Sequence, residues 1–254
     1  MYLSTVIVLG LCWSSFLNCM AHRLVFNKTV SHPRSKCPNC DTSIAWYDLI
    51  PLVSFILLRG KCRHCHQKIS PLYPLIEFLG GLMFALAWVQ FFQGSDLSNP
   101  VVLNSIAAHV IFISSLLMAI RTDLEDMVVL RLNTLFPIPL FFGLSYLGCI
   151  PATFVDSIIG AFLGYGILWG INSLYKSFAK IQGVGEGDME LLAMIGAFLG
   201  AQATLHALTV AALSGCVVSM LLLLLGHISR NQRIPFAPFL AIGAFISYII
   251  PWPL

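Results

Sequence analysis

Apolar residues recur along this chain in runs separated by short polar stretches. Eight such runs stand near 2–21, 72–92, 102–122, 133–150, 153–175, 189–203, 205–226 and 235–251. A helix needs about 20 apolar residues to cross a bilayer's hydrocarbon core. The pattern therefore predicts an all-α polytopic membrane protein of about eight transmembrane helices. The 189–203 run is short, and a tilted, paired or partly re-entrant segment fits it as well as a full crossing. Merging adjacent runs there gives seven. The polar stretch between the first two runs predicts a small lobe outside the bilayer. No basic residue precedes Arg23, so the first run reads as an uncleaved span rather than a secretory signal.

Composition strengthens this reading and charge orients it. Hydrophobic residues make up 58% of the chain and charged residues only 10%, where a soluble domain carries about 25% charged residues. Short cytoplasmic loops collect Lys and Arg. All 14 basic residues, Lys28, Arg34 and Arg230 among them, fall in the alternate segments 22–71, 121–132, 176–188 and 227–234. Those segments are predicted to be cytoplasmic, with both termini outside and Asp96 and Asp156 in outer loops. The modest net charge of +3 serves orientation, not nucleic-acid binding. The intramembrane glycines, Gly80-Gly81 and those at 160, 164, 166 and 170, read mostly as helix-packing positions.

The first polar loop carries Cys37-Pro38-Asn39-Cys40 and, after 21 intervening residues, Cys62-Arg63-His64-Cys65. Two such knuckles have the spacing of a four-thiolate zinc site. Lys36, Lys61 and Arg63 would offset its negative charge. A closed shell has no open position, so the expected Zn²⁺ is structural. His64 and His66 are competing ligands that four cysteines make unnecessary. Disulfides are the weaker alternative in a reducing compartment.

Ionisable residues in or beside spans are expensive, and each is a functional candidate. Glu77, Asp123, Glu125, Asp126, Glu186, Asp188 and Glu190 qualify by position. Asp123 ends the third span, and Asp188 opens the sixth within Gly183-Val184-Gly185-Glu186-Gly187-Asp188, so both are expected at one membrane face. Facing carboxylates can share a proton, one activating water while the other donates to a carbonyl. Glycines before Asp188 allow a sharp turn and close substrate approach. The competing reading has these acids solvating the boundary or pairing with Arg121 and Arg131.

At this point the residues match a known family. The chain resembles the bacterial type IV prepilin peptidases (prepilin leader peptidase/N-methyltransferases), GxGD-type aspartic proteases. The likeness runs through Ser15-Phe16-Leu17-Asn18 with His22-Arg23-Leu24, Trp46-Tyr47-Asp48 with Ile50-Pro51, and Leu57 to Cys65. It continues at Pro71 to Glu77, at Gly185-Glu186-Gly187-Asp188 with Glu190-Leu191-Leu192, and at Ile234 to Leu240. The resemblance implies that Asp123 and Asp188 are the catalytic pair, with Gly185, Gly187 and Glu77 in support. It implies prepilin or type II secretion pseudopilin substrates, cut after a glycine between a basic leader and a hydrophobic helix held in the bilayer. The acids Glu125, Asp126, Glu186 and Glu190 would then attract the leader. Many members also methylate the new N-terminus with S-adenosylmethionine, an activity associated with the first half, where Glu77 and the zinc loop are the supporting candidates. No glycine-rich nucleotide motif of the soluble type accompanies it. Departures from the family's usual pattern are Ser14 for glycine, Val129-Leu130-Arg131 for Leu-Pro-Asp, Glu190 for lysine and Ala237 for glycine.

The expected organisation is an N-terminal region, 1–100, with the zinc loop and the methyl-transfer part, and a membrane-embedded aspartic peptidase domain, 101–254. The enzyme is expected in the bacterial inner membrane with its active site facing the cytoplasm. A catalytically silent assembly scaffold and an ion-coupled transporter are the alternatives. The transporter reading expects acids near mid-span and leaves the zinc loop idle.

Overall fold

In hydrocarbon a backbone must satisfy its own N–H and C=O groups, and this chain does so with helices. The computed structural model describes residues 2–26, 29, 35–180, 183–229 and 232–250. Lys28, Arg34 and Arg230 lie outside the described residues. The chain divides into two compact units, Met1–Gln93 and Gly94–Leu254.

The first unit pairs two long helices, α1 (Tyr2–Val25) and α3 (Leu72–Ala87), the latter running on through a π turn, Trp88–Phe92. Small residues bring them together: a Cβ on Gly81 would stand 2.7 Å from Leu11, and one on Gly10 3.1 Å from Phe84. Asn18 Nδ2 donates to the Tyr73 carbonyl at 3.1 Å and ties the end of α1 to the start of α3. Between them lies the polar lobe, with a 3-10 turn at Trp46–Leu49 and the short helix α2 (Val53–Leu57).

The second unit runs α4 (Pro100–Asp126), α5 (Arg131–Thr134), α6 (Pro137–Tyr146), α7 (Phe154–Ala179), α8 (Glu186–Leu199), α9 (Ala201–Leu224) and α10 (Ala237–Ile249). Local signals set the ends. Asn99 accepts from the Val101 amide with Pro100 in the first turn of α4, and Thr153 accepts from the Asp156 amide in α7. Gly200, at φ 89°, breaks α8 from α9, and Asp156 Oδ1 accepts the Ala201 amide at 3.0 Å. Antiparallel α7 and α8 nearly touch. A Cβ on Gly164 would stand 2.5 Å from the Leu192 carbonyl oxygen, and one on Gly160 would overlap the Gly196 backbone. Gly166 and Gly170, by contrast, have open space at the Cβ position, so the packing role belongs to two of these four glycines. Phe112 and Phe198 stack at 4.1 Å in the core, with Phe141 edge-on to Phe198 at 4.9 Å.

Each of the eight apolar runs is helical, and the described residues form no strand beyond isolated bridges. Five helices are long and apolar enough to cross a membrane: Tyr2–Val25, Leu72–Phe92, Pro100–Asp126, Phe154–Phe178 and Ala201–Leu224. The protein is thus an all-α multi-pass membrane protein; among the described residues five helices have full spanning length, and the expected count of eight is not confirmed. At 1.5 Å per residue, α6, α8 and α10 rise only about 15, 21 and 20 Å, short of a hydrocarbon core of about 30 Å. The reason is local. Run 133–150 is helical in α6 only between Pro137 and Tyr146, and run 189–203 is cut at Gly200.

The start of α8 is also recessed. Asn172 Oδ1 accepts the Gly183 and Val184 amides at 3.0 and 3.2 Å. The incoming chain therefore passes α7 about two turns before that helix ends at Ala179.

Candidate active site and metal centre

Asp123 and Asp188 stand on helix ends that the fold brings to one place. Asp123 lies three residues before the end of α4 and is buried. Its Oδ2 accepts the Ala237 amide at 2.9 Å, and the Phe236 backbone contributes a second hydrogen bond. The amide end of α10 thus points at this carboxylate, where a helix dipole is positive. Asp188 sits in the first turn of α8, outside all five long spans, with the Gly185 backbone bonding to it. Burial and, second, the negative charge of Asp123 push its carboxyl up to about 7. The two acids therefore interact electrostatically across the helix junction.

The two motif glycines leave the room this needs. A Cβ on Gly187 would stand 2.7 Å from Val129 in the turn after α4, and one on Gly185 would stand 3.2 Å from Asp188 Oδ2. Glycine lets the N-terminus of α8 close onto the turn that follows Asp123.

The other acids at this face behave as the boundary reading expects. Glu125 pairs with the fully buried Arg121 one turn before it. Arg131 bridges Glu186 at 2.7 Å and Glu190 at 3.2 Å, and Thr134 Oγ1 donates to Glu190 Oε2 at 3.0 Å. Three of the four acids expected to attract a basic leader are thus engaged by arginines. The fourth, Asp126, has a buried Oδ2 without a hydrogen-bond partner. No salt bridge among the described residues involves Asp123 or Asp188.

The departures from the family's usual pattern acquire reasons here. Arg131 and Glu190, two of these departures, face each other and form an ion pair. Ser14 is fully buried and donates to the Gly10 carbonyl at 2.7 Å. Ala237 serves Asp123 through its backbone alone. Two features escaped the sequence reading: the α10 amides on Asp123, and the Thr134 hydroxyl that joins the Arg131–Glu190 pairing. The i,i+4 spacing of Glu186 and Glu190, which puts both carboxylates on one face of α8, was the available signal for a shared arginine partner.

In the first unit the four cysteines converge. Cys37, Cys40, Cys62 and Cys65 place their sulfurs within 4.8 Å of one another, with Cys37 and Cys65 at 3.8 Å. A tetrahedral zinc with bonds of about 2.3 Å needs sulfurs about 3.8 Å apart, so the donor set fits the ion. The two knuckles fold alike. Asp41 N donates to Cys37 O and His66 N to Cys62 O, and the bridges Lys36–Ser43 and Lys61–Lys68 close them. Hydrogen bonds from Thr42 draw the Cys40 thiol down to about 6, and backbone hydrogen bonds from Cys65 and His64 lower Cys62. His64 and His66 do not join the cluster. Glu77, in α3, is buried and its Oε2 accepts the Leu52 amide at 2.9 Å.

Comparison with known proteins agrees with this arrangement. Residues 8–91 match the Bacterial Peptidase A24 N-terminal domain and residues 110–220 the Type IV leader peptidase family. A protein of Aeromonas hydrophila named prepilin leader peptidase/N-methyltransferase is 32% identical over 98% of this chain and 91% of its own. Its namesake from Pectobacterium carotovorum subsp. carotovorum is 35% identical over 96% and 91%. That from Bacillus subtilis (strain 168) is 29% identical over 97% and 94%. No solved structure matches the chain at comparable significance. With full-length relatives at this identity and a helical membrane fold, the chain belongs to the type IV leader peptidase family and is a membrane peptidase.

Proposed function

We propose that the chain removes the leader of type IV prepilins or pseudopilins by aspartic catalysis at Asp123 and Asp188. The observation that carries this is the coupling of two carboxylates at one helix junction, where Glu125, Glu186 and Glu190 are paired with arginines and these two are not. Near neutral pH the raised Asp188 carboxyl holds the shared proton, so the pair carries one negative charge. The ionised carboxylate takes a proton from water as that water attacks the scissile carbonyl. The protonated partner donates to the developing oxyanion; on collapse the proton taken from water passes to the leaving amine and the partner recovers its proton from a hydroxyl, leaving the acid product and the pair as it began. Gly185 and Gly187 let the first turn of α8 close onto the turn after Asp123, which keeps the two carboxylates together. A substrate held in the bilayer by its helix would present its leader at this junction, and the distribution of basic residues supports a cytoplasmic orientation for it.

We assign residues 1–100 to the N-terminal region and 101–254 to the peptidase domain. Zinc would be held by the four cysteines and would supply a structural cross-link with no open coordination position. The name of these relatives, prepilin leader peptidase/N-methyltransferase, favours a second activity, methylation of the new N-terminus with S-adenosylmethionine as donor, in which Glu77 and the lobe would take part. Incubating membranes containing the protein with a model prepilin, then measuring product mass, tests both activities. A product starting after the glycine supports the peptidase, and a further 14 Da (the mass of one CH₂) supports the transferase. An intact substrate in every sample rejects the proposal in favour of a scaffold.

A further inference from the structure

We propose that the segment Trp46–Leu57 of the zinc lobe is a membrane-inserted element, seated in the lipid at the face from which α1 and α3 emerge. Three observations within the first unit carry this. The first is exposed apolar surface. Trp46, Ile56 and Leu57 are 72%, 72% and 76% exposed, and Tyr47, Leu49, Ile50 and Val53 are exposed beside them. The segment contains no Lys, Arg or Glu. Its one acid, Asp48, is held by Arg63 in two hydrogen bonds of 2.9 and 2.6 Å. That arginine also lies over the Tyr47 ring at 5.3 Å. The only charge in the segment is therefore neutralised at its own position.

The second observation fixes depth. The Leu52 amide, in the middle of the segment, donates to Glu77 Oε2. Glu77 lies five residues inside a span, Leu72–Phe92, of 21 residues. That span rises about 31 Å, roughly the whole hydrocarbon thickness, so its first residue stands near the hydrocarbon boundary. Five residues further in is about 7 Å below that boundary, within the depth of about 5–10 Å at which interfacial helices bury their apolar faces. Ser54 Oγ, donating to the Tyr47 carbonyl at 2.9 Å, holds the segment's polar side to itself. The apolar side chains are left facing outward.

The third is the flank. Arg59, Lys61 and Lys68 follow the apolar run and are exposed, where they suit lipid phosphates, and Trp and Tyr are the residues that favour this interfacial zone. Lipid is accordingly the occupant that fits hydrophobicity, depth and charge together. The loop joining two spans is then a monotopic element that holds the metal lobe down on the membrane.

The test uses the full-length, zinc-loaded protein in lipid nanodiscs. Trp46 emission is isolated as the difference between wild type and Trp46→Phe, and is quenched either by lipids brominated at acyl carbons 6 and 7 or by aqueous acrylamide. Leu57→Trp in the Trp46→Phe background reports the other end of the segment. The proposal expects both tryptophans to be quenched at least twofold more by the brominated lipid than by acrylamide. Strong acrylamide quenching with none from the lipid would overturn it, placing the segment in water. Protection from both quenchers would also overturn it, because the face would then be covered by protein.

Discussion

Arg131 spans two acids of α8 in very different surroundings, and the structure says which contact matters. Its side chain is 68% exposed, as is most of Glu186 at 62%, whereas Glu190 is 8% exposed. The Glu186 limb is a surface ion pair worth about 0–1 kcal/mol. The Glu190 limb partners a buried carboxylate, and removing it leaves Thr134 as that group's remaining hydrogen-bond donor among these residues. An unsatisfied buried group costs about 1–3 kcal/mol. Because water can reach the place of an exposed guanidinium, the lower half of that range applies. Arg131→Ala is therefore expected to destabilise the protein by about 1–2 kcal/mol, and Glu186→Gln by under about 0.5 kcal/mol. Thermal unfolding in detergent, run as two double-mutant cycles, separates the limbs. The Arg131/Glu190 coupling should exceed the Arg131/Glu186 coupling at least twofold. Arg131→Glu combined with Glu190→Arg should recover much of the loss. Equal couplings, or a neutral Arg131→Ala, would refute the reasoning. Leader cleavage should fall with stability in the single variants and return in the exchanged pair, since the clamp holds the first turn of α8 where Asp188 sits.

The other predictions concern the proton, the metal and the helix crossing. Burial and the neighbouring Asp123 charge push the Asp188 carboxyl up to about 7, so it is mostly protonated below that pH and ionised above it. Cleavage needing one shared proton should fall towards tenfold per pH unit above about 8, and a rate flat from about pH 6 to 9 would count against proton sharing. The purified chain should contain about one zinc by elemental analysis, and Cys62→Ser should lose most of it, because three thiolates no longer close the shell. Retention of zinc by that variant would point to other ligands. Gly164→Leu should lower the unfolding temperature by several degrees, since its side chain meets the Leu192 backbone. Gly166→Leu, facing open space, should not.

The fold class was legible because each apolar run carries its own hydrophobic signal, and each became a helix. Span number was harder to read. Hydropathy counts apolar residues but does not register that Gly200 turns at positive φ or that Asn172 draws residues 183 and 184 back along α7. The four-cysteine cluster was written in its spacing, because two knuckles build nearly the same turn wherever they occur. Asp123 and Asp188 could be placed at one face, but their surroundings depend on tertiary contacts. The Ala237 amide reaches Asp123 across more than a hundred positions, and nothing local in Phe236-Ala237-Pro238 announces it. Arg131 and Glu190 looked like two separate departures until the fold set them side by side.

The central claim rests on Asp123 and Asp188, and the most direct test is cleavage of a model prepilin by membranes carrying Asp123→Asn, Asp188→Asn or Asp126→Asn at matched expression. Acid–base catalysis of this kind contributes about 10²–10⁴-fold. Asp123→Asn and Asp188→Asn should each lose at least that much, while Asp126→Asn, which spares the coupled pair, stays within a few-fold of wild type. Near wild-type cutting by either of the first two would contradict the account.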